Sequence, residues 1–153
     1  MSILLDTNIL ARLAQPTHSM HTAAANAVNE LLRQAEVLCI TPQNLYEFWV
    51  VATRSMTQNG LGFTPAQAQA ELARLKAVFI FIDDTPAVFP QWERLVVQHQ
   101  VSGKNAHDAH LVAAMIVHRI NQILTFNVGD FRRYQSITIL DPRQIVASKP
   151  PIP

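Results

Sequence analysis

Short apolar runs that alternate with helical stripes of apolar residues are the feature that most restricts the fold of this chain. Five runs have the length and composition of buried strands, at residues 3–5, 37–40, 79–82, 123–125 and 137–140. Between them apolar residues recur at helical spacing, as at Ala24, Ala27, Val28 and Leu31. Strands that alternate with helices predict an α/β fold, in which helices cover both faces of a mostly parallel sheet of four or five short strands.

Three Thr-Pro pairs mark places where helices are expected to begin. Thr41, Thr64 and Thr85 each precede a proline, so each hydroxyl is placed to cap a helix whose first residue is proline. Gln67, three residues after Thr64, completes the pattern of a capping box. The three pairs therefore predict helices that start at residues 42, 65 and 86.

The length of the chain, 153 residues, is that of one domain. We assign residues 1–145 to this domain and the proline-rich residues 146–153 to a C-terminal tail. The first residues do not resemble a targeting signal, and no apolar run approaches the ~18 residues needed to cross a bilayer. The lone cysteine, Cys39, lies in an apolar run and is interpreted as a buried hydrophobic residue. We expect a cytoplasmic protein with no membrane partner.

The chain has little net charge and few charged residues. The formal net charge is +1, so no overall positive field favours a nucleic acid. Charged residues make up 15% of the chain, against about 25% in typical soluble proteins. A surface so poor in charge suggests that another subunit or protein covers part of it.

Three acidic residues stand where a parallel sheet places its ligands. Asp6 directly follows the first strand, Glu47 lies among apolar residues in the helix after the second strand, and Asp108 precedes an apolar helical stretch. Taken alone, each has a structural alternative: a helix cap for Asp6 and Asp108, and an ion pair for Glu47. As a set, the three are expected to meet at one edge of the sheet.

Carboxylates that meet in this way repel one another. The repulsion is about 1 kcal/mol per pair in water and several-fold more in a partly dry cleft. A divalent cation reverses its sign, and oxygen ligands without Cys or His select Mg²⁺ or Mn²⁺ over Zn²⁺. His107 and His110 flank Asp108, but two histidines without a nearby cysteine make a poor zinc site, so we assign them surface or supporting roles. The set therefore predicts a Mg²⁺ or Mn²⁺ site with room for a substrate phosphate.

The segments around these acids resemble a known family. Four segments resemble the PIN-domain nucleases in order and spacing: Leu4-Leu5-Asp6-Thr7-Asn8, Glu47, Asp108-Ala109-His110 and Thr125-x-Asn127-x-x-Asp130. Among these nucleases, the likeness is greatest to the VapC-type toxin ribonucleases of type II toxin–antitoxin systems. The likeness spans residues 2–142. It implies a three-layer α/β/α domain with Mg²⁺- or Mn²⁺-dependent endoribonuclease activity. Members of the family are commonly homodimers that a small antitoxin protein neutralises.

The resemblance also assigns roles to single residues. The catalytic and metal-binding acids would be Asp6, Glu47 and Asp108. The family's fourth acid often stands where this chain has Asn127, and Asp130 is the alternative source of that charge. The residues that support the acids by hydrogen bonding would be Thr7, Asn8, Thr125 and Asn127. Contacts with RNA phosphates are assigned to Arg12, Arg54 and Lys104, for each of which a solvated surface role is the alternative.

Two other functions stay open from the sequence. Asn127 in place of an acid is compatible with a weakened nuclease that only binds RNA or protein, and a Mg²⁺ or Mn²⁺ titration would reveal this. The chain is also compatible with a PIN nuclease of RNA processing or DNA metabolism rather than a toxin. Trp49 and Trp92 are interpreted as core or dimer contacts rather than as platforms on which bases stack.

Overall fold

The computed structural model describes residues 1–145 and shows a five-stranded sheet in which all strands are parallel. The strands are β1 (Ser2–Leu5), β2 (Val37–Ile40), β3 (Ile80–Phe81), β4 (Gln122–Leu124) and β5 (Thr138–Leu140). Their order in the sheet is β3-β2-β1-β4-β5. Strands β2 and β3 therefore lie on one side of β1, and β4 and β5 lie on the other. The predicted class is confirmed, and each predicted strand overlaps an observed one. The topological switch point, where open sheets of this kind bind ligands, lies between β1 and β4.

Seven α-helices lie within residues 1–145. They are α1 (Thr7–Leu13), α2 (His21–Arg33), α3 (Pro42–Thr53), α4 (Pro65–Val78), α5 (Val88–Gln98), α6 (Asn105–Val117) and α7 (Val128–Phe131). Short 3₁₀ turns follow at Met56–Gln58 and Pro142–Gln144. Thr41 and Thr64 are the N-caps of α3 and α4, and each helix begins with proline as predicted.

The third Thr-Pro pair does not start a helix where the sequence predicts one. Helix α5 begins at Val88 with Ala87 as its N-cap, two residues later than expected. Thr85 instead opens a turn, in which the Val88 N–H donates to the Thr85 carbonyl oxygen at 3.0 Å. The turn brings Val88, which is 2% exposed, into the core as the first apolar residue of the helix.

Strand β1 divides its side chains between two cores, as the alternation of a strand requires. Ile3 and Leu5 point into a core shared with α1 to α4, whereas Leu4 joins a second core with α5, α6 and α7. Cys39 is buried in the second core, as predicted. Helices therefore cover both faces of the sheet, and the polar ends of its strands are left to form a site.

Two further expectations concern the C-terminal tail and membrane-spanning helices. The predicted tail, residues 146–153, lies outside the described residues. Within residues 1–145, none of the helices has the length and apolar character that a membrane crossing demands.

Candidate metal centre

Asp6 both caps a helix and joins the two strands at the switch point. It follows β1 directly as the N-cap of α1, and its Oδ1 accepts a hydrogen bond from the Thr7 N–H at 2.7 Å. Its Oδ2 accepts from Thr125 Oγ1 at 2.6 Å and from Asn8 Nδ2 at 3.0 Å. Because Thr125 follows β4, these bonds tie the carboxyl ends of β1 and β4 together. The capping role and the position at the site are thus found in the same residue.

The burial of Asp6 makes its charge costly. The side chain is 5% exposed, and this burial raises its pKa from 3.8 to about 6. Hydrogen bonds from Thr125 and Thr7 act in the opposite direction, whereas the charges of Glu47 and Asp130 raise the pKa further. Asp6 therefore lies within the electric field of two other acids.

Thr125 is the centre of a hydrogen-bond network that orients Asp6. Its hydroxyl, which is fully buried, donates to Asp6 and accepts from Asn8 Nδ2 at 3.1 Å and from the Asn127 N–H at 3.0 Å. Asn8 Oδ1 in turn accepts from the Phe126 N–H at 3.3 Å. Asn127 thus contributes through its backbone, while its side chain is exposed. These bonds fix the side chains on both sides of the switch point.

Glu47 lies in the second turn of α3 and is held by two neutral donors. Its Oε2 accepts from Thr7 Oγ1 at 2.7 Å, and its Oε1 accepts from Gln43 Nε2 at 2.8 Å. No salt bridge to Glu47 is found between residues 1 and 145, so the ion-pair alternative is not observed there. Neutral groups therefore orient both oxygens of Glu47.

Asp108 lies half-buried in the first turn of α6 and accepts no hydrogen bond from any described residue. Burial raises its pKa from 3.8 to about 7. The charges of Asp6, Asp130 and Glu47 raise it too, whereas Lys104 lowers it. The charges of the other three acids therefore all act on Asp108, although Asp130 itself is exposed.

The acids are near one another without forming a finished ligand shell. Among the residues that the structure describes, no group of three or more His, Cys, Asp or Glu side chains stands ready to hold a metal ion. The donor set nevertheless fits a hard divalent cation, since it consists of carboxylate oxygens. Asp108 is a half-buried carboxylate without a partner in residues 1–145, which is the kind of group that a cation satisfies.

The sequence profile that describes the PIN domain matches residues 3–136. The chain belongs to the PIN-domain family. In sequence, no curated protein matches it.

Solved structures share the fold of this PIN domain at low sequence identity. VapBC2 from Rickettsia felis, bound to a DNA fragment from its promoter, has a TM-score of 0.69 at 17% identity, covering 92% of this chain and 98% of that one. A toxin–antitoxin complex from Klebsiella pneumoniae has a TM-score of 0.64 at 21% identity, covering 94% and 99%. VapC20 from Mycobacterium tuberculosis, a toxin that cleaves the sarcin–ricin loop, has a TM-score of 0.59 at 22% identity, covering 79% and 86%.

The three basic candidates differ in their effect on the acids of the PIN domain. Lys104 is the N-cap of α6 and lies close enough to lower the pKa of Asp108. Arg12 and Arg54 lie at the C-terminal ends of α1 and α3, and neither contributes to the shifted pKa values of Asp6 and Asp108. Lys104 is thus the candidate whose charge acts on one of the acids with a shifted pKa.

Gln43 is a site residue that sequence reasoning missed. Its Nε2 donates to Glu47 Oε1 and to the His107 carbonyl oxygen, both at 2.8 Å, and its Oε1 lies 2.6 Å from His110 Nδ1. One amide therefore connects α3 with the first turns of α6. The available signal was its position one helical turn before Glu47, where an amide can bond to a carboxylate.

Proposed function

We propose that the protein is a metal-dependent endoribonuclease and the toxin of a toxin–antitoxin pair. The proposal rests on one observation at the switch point of this PIN domain: the charges of neighbouring acids raise the pKa values of two carboxyl groups. Glu47 and Asp130 raise the pKa of both Asp6 and Asp108. Asp6, Glu47 and Asp108 would be the catalytic, metal-binding acids, and Asp130 would add the charge that Asn127 lacks. The RNA substrate is supported by the likeness to VapC20, whose described target is the sarcin–ricin loop.

The hydrogen bonds of the site suit this chemistry. Bound at the carboxylates, Mg²⁺ or Mn²⁺ would supply Lewis acidity towards a phosphodiester. Thr125 and Asn8 hold Oδ2 of Asp6, which fixes the direction in which that carboxylate presents its charge. Thr7 and Gln43 each hold one oxygen of Glu47, and this orients the carboxylate to accept a proton from the attacking water.

Cleavage of total RNA tests the enzymatic part of the proposal. We expect that EDTA and the variant Asp6→Asn each abolish cleavage, while circular dichroism shows that the fold survives. Glu93→Gln, which removes an exposed carboxylate from α5, is the control and should cut like the wild type. Equal cutting by all samples would point to contamination or to a mechanism without metal.

A small antitoxin and a second copy of the chain are proposed as protein partners. Two of the structural neighbours are toxin–antitoxin complexes. Large apolar side chains are also exposed on this chain, and such surfaces are often covered by partners: Val50, Met56, Val78, Ile80 and Val97. Expression of the protein alone in the cytoplasm of a bacterial host should arrest growth, and light scattering should give the mass of a dimer. Undisturbed growth would remove the main support for a toxin.

A binding module derived from a nuclease is the second candidate. It is favoured by the lack of a ready metal-binding group within residues 1–145 and by Asn127 at the position of the fourth acid. Calorimetric titration with Mg²⁺ and Mn²⁺ separates the two candidates. Failure to bind either ion at millimolar concentration, together with no cleavage of any RNA pool, would favour the binding module.

A further inference from the structure

An apolar pocket of about 400 Å³ lies beside Glu47, whose hydrogen-bond partner Gln43 is in the pocket wall. Helices α3, α5 and α6 and the segment after β3 form its walls. Its aromatic residues are Tyr46, Phe89 and Trp92, and its polar groups include Gln43, Asp84 and His110. A volume of this size with few polar groups is typical of a site for a small organic group. We refer to it as the aromatic pocket.

Direct contacts join the aromatic pocket to the candidate metal centre. Gln43, in its wall, donates a hydrogen bond to Glu47. Trp92 Nε1 donates to the Ala106 carbonyl oxygen at 2.8 Å, which fixes the indole ring two residues before Asp108. A group held in the pocket would therefore lie beside Glu47, whereas Asp108, two residues after Ala106, faces a different side of α6.

The aromatic rings of the pocket are available for stacking. Phe89 and Trp92 stand one turn apart on α5, with ring centroids 5.6 Å apart and an interplanar angle of 35°. Phe89 is 61% exposed and Tyr46 is 69% exposed, so the apolar core does not account for either ring. Proteins that bind single-stranded RNA use exposed rings of this kind as stacking surfaces for unpaired bases.

The polar groups of the pocket include hydrogen-bond acceptors. The amide nitrogen of Gln43 donates to two oxygen atoms, so its Oε1 faces His110 Nδ1 and must accept the proton that this nitrogen carries. The Asp84 carboxylate, also in the pocket wall, is an acceptor for N–H groups, which the edges of nucleobases offer.

We propose that the aromatic pocket holds one unpaired nucleobase of the RNA strand whose phosphodiester lies at the four acids, with the base stacked on Phe89 and Trp92. The proposal rests on the proposed function, since it concerns the same substrate. The rings, the Asp84 carboxylate and the contact with Glu47 through Gln43 favour a base over an apolar protein side chain, which would offer that carboxylate no N–H group.

The fluorescence of Trp92 provides a test that needs neither metal nor cleavage. The chain has two tryptophans, so Trp49→Phe leaves Trp92 as the only emitter. Titration of this variant in EDTA with the four ribonucleosides should give saturable quenching by at least one of them. D-ribose, which lacks a base, should give none. The variant Trp92→Phe, in which only Trp49 emits, is the matched control for absorption of light by the nucleosides.

A second variant tests the contribution of the exposed ring. Phe89→Leu in the Trp49→Phe background should weaken nucleoside binding by roughly 5- to 150-fold, the range that corresponds to the loss of one stacked base. Its urea unfolding curve should match that of the parent, because Phe89 is exposed.

Several results would overturn the base-binding proposal. These are quenching by ribose as strong as that by nucleosides, no quenching by any nucleoside, and unchanged affinity in Phe89→Leu. A dimer that becomes a monomer in Phe89→Leu would instead identify the pocket as an interface between copies of the chain. Because the assay contains no metal, a negative result would refute base binding but not the nuclease proposal. A protein that binds bases without cutting RNA would refute only the nuclease proposal.

Discussion

Replacing Asp108 with asparagine should make the metal-free protein more stable at pH 8, although the change removes a candidate catalytic group. The carboxylate is half-buried, accepts no hydrogen bond from residues 1–145 and lies in the field of three other acids. Asparagine has almost the same shape but no charge. Asp108→Asn therefore removes the electrostatic cost without breaking a hydrogen bond of the described structure.

The size of the effect follows from the raised pKa. A rise from 3.8 to about 7 corresponds to roughly 4 kcal/mol, at ~1.36 kcal/mol for each tenfold change in the ionisation constant. Because Asp108 is only half-buried, water screens part of this cost, and we expect a gain of about 1–2 kcal/mol in the free energy of unfolding. For a chain of this length, the midpoint of thermal unfolding should rise by roughly 2–8 °C.

The gain must depend on pH in a defined direction. Between pH 3.8 and about 7, the folded protein binds more protons at Asp108 than the unfolded chain does, so this residue lowers the stability of the wild type as the pH rises. Below pH 3.8 the carboxyl group is protonated in both states and the cost disappears. The difference between variant and wild type should thus be near zero at pH 3.5 and reach its full size at pH 8.

Urea unfolding in EDTA at the two pH values measures this difference, with Glu93→Gln as a control that removes an exposed carboxylate. Addition of Mg²⁺ should then reverse the order of stability. At a concentration 100 times the dissociation constant, a bound ion stabilises the wild type by about 2.7 kcal/mol, and Asp108→Asn should gain much less. An Asp108→Asn protein that is no more stable than the wild type at pH 8, or equally more stable at both pH values, would refute the reasoning.

Three further variants separate the parts of the site. Thr125→Val should raise the pKa of Asp6 further and destabilise the protein at pH 8 by about 2 kcal/mol in urea unfolding, because it removes the 2.6 Å hydrogen bond to a buried carboxylate. Asp130→Asn should change the metal-free stability by less than about 0.5 kcal/mol, since Asp130 is exposed, but reduce the rise in melting temperature that Mg²⁺ causes. Thr64→Ala should cost about 1 kcal/mol in unfolding and leave RNA cleavage unchanged, because the hydroxyl caps α4 on the exposed surface.

The parts of the fold that depend on local patterns were predictable from the sequence. The alternation of apolar runs with helical stripes gives the parallel sheet, and Thr64 with Gln67 gives the start of α4. A Thr-Pro pair alone was insufficient at Thr85, because α5 begins only at Val88, the first buried residue after the pair. The positions of Asp6 and Asp108 at the edge of the sheet followed from their places after a strand and at the start of a helix.

The long-range contacts of the site were not predictable in the same way. Gln43 reaches His107 and His110 across more than 60 residues of sequence, and no local pattern encodes the packing of α3 against α6. The aromatic pocket depends on the same packing, since its walls come from three helices. Trp92, which the sequence predicts to be a core or dimer contact, does pack against the second core, but its partial exposure beside Phe89 is a property of the assembled helices.

Burial is the largest single cause of the raised pKa values of both Asp6 and Asp108. The sequence predicts repulsion between the acids, which a cation offsets by its charge. Loss of water is a separate cost, and a cation must also replace the hydration that the fold removes. Asp6 already recovers part of it from three hydrogen bonds, whereas Asp108 recovers none within residues 1–145. Of these two acids, Asp108 is therefore the one that a bound cation should stabilise more. Its neutralisation should also raise the stability of the metal-free protein more than that of Asp6.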